Sequence, residues 1–220
     1  MLKVRYLSSS KFRRLFSTSL KSDEYDILVA GGGVVGSSII SGLLSSSNTS
    51  KLKIGLIDAS NSSSQLNITQ VKALKVPDLR VYALSPASVS FLNDIGAWEH
   101  VETSLRCQSY VAMQIWESNG PGMVRFSAAD MHVPSLGTIV EDKLLTAAVS
   151  QTIKEKTNTA SSGSSGSGSG SSSSSSGYID YTAFEGCSVK DVNVLTDSPF
   201  VEVTLASSSN SSSSSSSSSS

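Results

Sequence analysis

An α/β fold with a parallel sheet is predicted by three features of the sequence. An apolar strand runs without a spacer into regularly spaced glycines, a helix-compatible segment follows, and a second apolar strand ends at an acid. The first feature is Tyr25-Asp26-Ile27-Leu28-Val29-Ala30-Gly31-Gly32-Gly33-Val34-Val35-Gly36. Ile27 to Ala30 has the continuous apolar character of a strand covered on both faces, and Gly31-x-Gly33-x-x-Gly36 follows directly. Gly31 permits the tight turn, Gly33 lets the backbone approach a pyrophosphate, and Gly36 lets the new helix lie close to the strand. A helix N-terminus adds N–H groups and the positive end of a dipole. Val35, Ile39 and Leu43 share one face of that helix, with Ile40 and Leu44 beside them. Lys53-Ile54-Gly55-Leu56-Ile57 is the second strand, and Asp58 ends it, 22 residues past Gly36, where a carboxylate can hold a ribose hydroxyl. The reading is a Rossmann-like dinucleotide-binding fold.

The core has to come from the residues that are not low-complexity. Residues 161–177 are only Ser and Gly, and 207–220 are Ser apart from Asn210, so neither stretch has apolar surface to bury. The 161–177 tract reads as a flexible excursion and 207–220 as a poly-Ser tail. Lys3, Arg5, Lys11, Arg13, Arg14 and Lys21 all precede the first acid, Asp23, so a net charge of −1 conceals a basic leader and an acidic remainder. That remainder offers no nucleic-acid groove. Residues 1–22 are basic, Ser/Thr-rich and acid-free, with Leu2, Val4, Tyr6, Leu7, Phe12, Leu15 and Phe16 interspersed. This is the composition of a mitochondrial presequence, and Arg14-Leu15-Phe16-Ser17 resembles a matrix-peptidase pattern cut between Phe16 and Ser17. The bland alternative is a basic tail. No run of 18 apolar residues is present to span a membrane. Cys107 and Cys187 lack metal-ligand spacing and read as buried thiols. His100 and His132 have no acid or cysteine at a catalytic spacing and read as surface or core residues. No metal site and no catalytic side chain are predicted.

Beyond Asp58, the polar stretch from Ser60 to Gln65 reads as a surface loop. Arg80 then stands in an extended segment, where it is either a solvated cation or one that reaches a cofactor. Ser85 is a good N-cap, Pro86 suits the first helical position and Gly96 the C-terminal cap, with Phe91, Leu92 and Ile95 as the apolar face. Val111 to Glu117 alternates like a half-buried strand that Val124-Arg125-Phe126 can pair with. Gly137 to Glu141 leads into a helix carrying Leu145, Val149 and Ile153 and ending near Lys156. Acids at its start, Glu141 and Asp142, are good dipole partners in any helix. After the Ser/Gly tract, order resumes at Tyr178-Ile179-Asp180-Tyr181, followed by strands at Val189–Val194 and Phe200–Leu205.

The glycine segment, together with Arg80-Val81-Tyr82-Ala83-Leu84-Ser85-Pro86-Ala87-Ser88 and Ile95-Gly96-Ala97-Trp98, resembles the ubiquinone-biosynthesis branch of the flavin-dependent aromatic-ring hydroxylases. That branch carries an Arg-x-x-x-Leu/Ile-Ser-x-x-Ser element after the second strand, then a Gly-x-Trp ending. Gly137-Thr138-Ile139-Val140-Glu141-Asp142 resembles its Ile/Val-Val-Glu-Asn/His element, with Asp142 where the amide or histidine stands. The resemblance implies a glutathione-reductase-type FAD-binding domain, incomplete here, with part of an inserted β-rich substrate domain. The domain reading is presequence 1–22, FAD-domain portion with the first substrate-domain strands 23–160, insert 161–177, further FAD-domain strands 178–206, and tail 207–220.

By the same resemblance, FAD is the cofactor. Gly31, Gly33 and Gly36 hold its pyrophosphate, Asp58 the adenosine ribose, Arg80 the phosphate or flavin side, and Asp142 faces the cofactor. The implied reaction adds a ring hydroxyl to a polyprenylated phenol with oxygen, using NAD(P)H or a redox protein as electron donor. The implied location is the matrix face of the mitochondrial inner membrane, within a ubiquinone-biosynthesis complex. The resemblance covers 25–160 and, more thinly, 178–205. It stops before the family's Gly-Ala-Asp-Gly and later Gly-Asp motifs, so the chain is expected to be an N-terminal portion that hydroxylates nothing alone. Two rival readings remain open: a nicotinamide-dependent dehydrogenase or reductase, and a non-catalytic Rossmann module serving assembly.

Overall fold

A computed structural model describes residues 2–6, 21–61, 67–162, 180–194, 196 and 199–207. In chain order the elements are β1 (Leu2–Tyr6), β2 (Lys21–Tyr25), β3 (Ile27–Ala30), α1 (Val34–Ser45), β4 (Lys53–Asp58), α2 (Ile68–Lys72), β5 (Val81–Leu84), α3 (Pro86–Asp94) and α4 (Trp98–Glu102). They continue as β6 (Cys107–Tyr110), β7 (Ala112–Trp116), β8 (Met123–Ser127), β9 (Gly137–Glu141), α5 (Asp142–Ser162), β10 (Asp180–Glu185), β11 (Cys187–Val194) and β12 (Val201–Ser207). The α/β class is borne out. Two compact units form, one from residues 1–32, 52–62 and 180–220 and the other from 33–51 and 63–179.

In the first unit, β3 and β4 pair in parallel, Ile27 opposite Ile54 through Ala30 opposite Ile57, and β10 adds in parallel to the far side of β4. Parallel neighbours need a crossover, and α1 lies in the chain between β3 and β4. β4 is buried from Ile54 to Ile57, as its continuous apolar run predicts. A second sheet has the order β11-β12-β1-β2. Tyr25, Ile57, Cys187, Val203 and Leu205 form the buried cluster, with the Phe184 ring edge-on to Tyr25 at 5.6 Å between centroids. Gly55 is required there, because a Cβ would stand 2.6 Å from Leu28 Cδ1. Leu2–Tyr6, inside the segment read as a presequence, pairs in parallel with β12 and antiparallel with β2. Its Leu-x-Val-x-Tyr alternation has the two-residue period of a strand.

The second unit is built on α5. Leu144, Leu145, Ala148 and Val149 are fully covered, and Val71, Leu92, Ile95, Val101 and Val140 pack into the same core. α5 runs past Lys156 to Ser162, longer than expected, since Gly163 is the first helix breaker after its start. The antiparallel sheet β5-β9-β6 supplies Val140. Capping of α3 follows the sequence. Ser85 Oγ accepts from the Ser88 N–H at 3.2 Å, Pro86 opens the helix, and Gly96 sits at φ 82°. The Gly96 N–H donates to Asn93 O and the Ala97 N–H to Leu92 O, closing a Schellman turn.

Three burial expectations need correction. The covered side of α1 is Ser37, Ser38, Ile40, Ser41 and Leu44, while Val35 is 74% exposed and Ile39 47%. Phe91, expected with Leu92 and Ile95 in the core, is also exposed and lies against Gly42. Val35, Ile39 and Phe91 instead line an open apolar cavity of about 460 Å³. β7 does pair with β8, Met113 opposite Phe126, but every one of its residues is exposed because only β8 flanks it among the described residues. Cys187 is buried as expected, and Cys107 is only partly so. The loop reading of 60–65 falls partly outside the described residues. Most of the Ser/Gly tract, Tyr178, Ile179 and the tail beyond Ser207 fall outside them entirely.

Candidate functional site

The glycine loop begins as a continuation of the parallel ladder. The Gly31 N–H donates to Ile57 O at 2.8 Å, one step past the last β3 pair, and Gly31 then turns the chain at φ 100°, a conformation that suits glycine. A Cβ on Gly31 would meet nothing among the described residues within 4 Å. Gly32 is different. A Cβ there would overlap the Asp58 carboxyl group, standing 2.8 Å from its Cγ. The acid at the end of β4 therefore lies against the loop after β3. Asp58 is fixed from its other side: Oδ1 accepts from the Ser60 N–H at 3.0 Å and Oδ2 from Ser60 Oγ at 2.8 Å. Gly32 occupies an unspecified position of the motif, so the spacing rule passed over it. Its need for a bare α-carbon becomes visible only when Asp58 is placed.

In the second unit, Gly33 is the N-cap of α1, extended at φ −67° and ψ −176°, and has no side chain to cap the helix. Its carbonyl accepts the first helical bond from the Ser37 N–H at 2.9 Å. The first-turn N–H groups of a helix have no intrahelical partner, and no acid stands in this first turn to answer them. Gly36 lies in that turn. These groups fit an anion at the helix start.

Arg80 and Asp142, predicted separately, are brought together. Arg80 Nη1 stands 3.4 Å from Asp142 Oδ2, with the arginine side chain 74% exposed. Asp142 opens α5, and its other oxygen accepts from Thr146 Oγ1 at 3.4 Å. The Asp142 carboxylate also hydrogen-bonds Tyr82 and raises that phenol's pKa. The Arg80 backbone is held at both ends, its N–H donating to Asp78 Oδ1 and its carbonyl accepting from the Asp142 N–H at 3.0 Å.

Glu141, read as a helix-start acid, ends β9 instead and is buried against Arg106, which the sequence reading passed over. Arg106 Nε donates to Glu141 Oε1 at 2.8 Å and Nη2 to Oε2 at 2.7 Å, the two-pronged geometry of a strong ion pair. Burial opposes the Glu141 charge, but the bonds from Arg106 and from the Asp78 N–H outweigh it and hold the carboxyl below its usual pKa. The two residues flank a β6–β9 pair, Cys107 opposite Val140. Thirty-five residues separate them in sequence, and no local pattern announces the contact. His100 makes a surface pair with Glu155 at 3.3 Å. Among the described residues no group of His, Cys, Asp and Glu could hold a metal ion.

No family model matches the chain. In sequence it matches the mitochondrial ubiquinone biosynthesis monooxygenase COQ6 of Danio rerio, at 29% identity over 153 residues, covering 68% of this chain and 29% of that protein. The 3-demethoxyubiquinol 3-hydroxylase of Escherichia coli is 31% identical over 129 residues, covering 59% of this chain and 30% of that one. The chain resembles the ubiquinone-biosynthesis monooxygenases. That likeness, first read from the glycine loop and the Arg80–Trp98 stretch, is borne out by relatives from a fish and a bacterium. The chain spans 29% of the length of the first of them. A solved complex of aklavinone-11 hydroxylase with FAD and aklavinone overlaps 86% of this chain and 30% of the other, at 14% identity and a TM-score of 0.45.

Proposed function

We propose that this chain is the nucleotide-holding portion of an FAD-dependent monooxygenase that hydroxylates the ring of a polyprenylated phenol in ubiquinone biosynthesis. The observation that carries the reading is the Asp58 carboxyl group seated on Gly32 beside the Gly31 turn, within a chain similar to enzymes named for that pathway. The residues fit the cofactor. Asp58, oriented by Ser60, accepts from an adenosine ribose hydroxyl. Gly31 and Gly33 carry no side chain to obstruct a pyrophosphate, and the first turn of α1 through Gly36 offers N–H groups to its oxygens. Arg80, with its backbone held and its guanidinium exposed, supplies a cation for the phosphate or flavin side, and Asp142 limits where that cation swings. Bound FAD supplies the electron transfer and oxygen chemistry of the hydroxylation, which is why the protein side needs no nucleophile or acid–base dyad.

The location proposed is mitochondrial, peripheral to the inner membrane, where a prenylated substrate is held by lipid. Among the described residues no helix is long and apolar enough to cross a membrane. The electron donor is NAD(P)H or a redox protein, and the working assembly is a ubiquinone-biosynthesis complex. Complementation tests the reading. A full-length coding sequence that includes this chain should restore ubiquinone in a monooxygenase-deficient strain, the same sequence with Asp58→Ala should not, and this chain by itself should not. Flavin absorbance in the purified protein separates the reading from a nicotinamide-dependent reductase, which shows none.

A further inference from the structure

Arg106 has five N–H donors and uses all of them. Beyond the two bonds to Glu141, Nη1 donates to Val71 O at 3.0 Å and Leu74 O at 2.7 Å, and Nη2 to Val76 O at 3.3 Å. The three carbonyls belong to the end of α2 and the irregular segment after it, which leads to Arg80 with no regular structure of its own. The same Glu141 carboxylate reaches that segment again, accepting from the Asp78 N–H at 2.9 Å. Asp78 passes the constraint on, since its Oδ1 accepts from the Arg80 N–H and its Oδ2 from the Lys143 N–H, both at 3.3 Å. The Arg106 side chain is 14% exposed and Glu141 9%, so the pair is largely shielded from solvent. Arg80, at the other end of this series of bonds, is the exposed member.

We propose that Arg106, with Glu141, is a positioning residue for nucleotide binding: the pair fixes the 73–79 segment to β9 and so sets where Arg80 presents its guanidinium. The inference rests on the FAD reading above. A cation on an unheld loop would lose conformational entropy on meeting an anion, and a held one has lost it already. A lysine at 106 keeps the charge but cannot serve five acceptors in a planar fork.

Two measurements on the purified protein test this. In hydrogen exchange, Arg106→Lys should speed exchange in peptides spanning 73–80 while those in the middle of α5 stay protected. Unchanged exchange over 73–80 would overturn the staple. In FAD titration, read by quenching of flavin fluorescence, Arg106→Lys should weaken binding by roughly tenfold in the otherwise unsubstituted protein. In an Arg80→Ala background it should do almost nothing further, because the cation it positions is gone. Equal losses in both backgrounds would make Arg106 a stability residue alone and overturn the proposal. FAD failing to bind the unsubstituted protein would instead remove the functional reading and the positioning role together, a result distinct from binding with additive losses.

Discussion

The α-carbon of Gly32 faces the Asp58 carboxyl group so closely that no side chain fits between them. This contact joins the ends of two parallel strands, since Asp58 closes β4 and Gly32 follows the Gly31 turn after β3. It makes Gly32 as necessary as the motif glycines, for a steric reason.

Gly32→Ala should therefore displace Asp58 or the loop. Overpacking of this kind costs about 1–3 kcal/mol. Urea denaturation should show a lowered midpoint at unchanged slope, together with weakened nucleotide binding. Gly120→Ala, whose Cβ would meet only the flexible Glu117 side chain, is the control.

Glu141 gives the molecule an acid-sensitive joint. Burial would raise its carboxyl, but Arg106 and the Asp78 N–H lower it on balance, below the ordinary 4.5. A folded-state pKa below the unfolded one means stability that is complete above 4.5 and is lost as pH falls through the folded value. Glu141→Gln should flatten that acid limb. At neutral pH it should cost about 3 kcal/mol, because it leaves a shielded guanidinium without its charge partner. Melts from pH 7 down to about pH 3 on both proteins check this.

On the alkaline side, Tyr181 carries the larger of two phenol shifts, the other being that of Tyr82. Burial, with help from the Glu185 charge, pushes the Tyr181 phenol up from 10.0 to about 12. Here the folded value is the higher one, so the contribution is present below pH 10 and lost as pH rises toward 12. Tyr181→Phe should remove that slope while leaving stability at pH 7 little changed, which a pH series of thermal melts measures.

Lys156 is an uncharged-environment cation. Four oxygens, Ser41 O, Ser41 Oγ and Ser45 Oγ on α1 and Ile95 O at the end of α3, lie within hydrogen-bond distance of its ammonium and share its three N–H donors, and burial lowers its pKa from 10.5. Lys156→Met keeps the apolar stem and leaves these acceptors unmatched, at a cost of about 1–3 kcal/mol. A variant as stable as the original protein would show that solvent replaces the ammonium without loss.

Short-range patterns in the sequence account for what could be read directly. The run Ile27–Ala30 and its glycines, the caps Ser85, Pro86 and Gly96, and the stripe Leu145, Val149 and Ile153 each depend on residues a few positions apart. The misses depend on distance or on neighbours. Arg106 and Glu141 meet because β6 pairs with β9, and Leu2–Tyr6 pairs with Val201–Leu205 across nearly the whole chain. Burial of Val35, Ile39 and β7 is decided by what lies alongside, which periodicity does not encode. The place of Asp58 at the end of a strand was legible from the apolar run before it, and the likeness to the ubiquinone-biosynthesis monooxygenases from the glycine loop and the Arg80–Trp98 stretch.

Nucleotide titration of the purified protein with and without Asp58→Asn tests the central claim most directly. FAD and ADP, which carry the adenosine ribose, should each bind the unsubstituted protein saturably and about tenfold more weakly after the substitution. FMN, which lacks adenosine, should be unaffected by it. FAD that fails to bind, or that binds both proteins equally, would contradict the account.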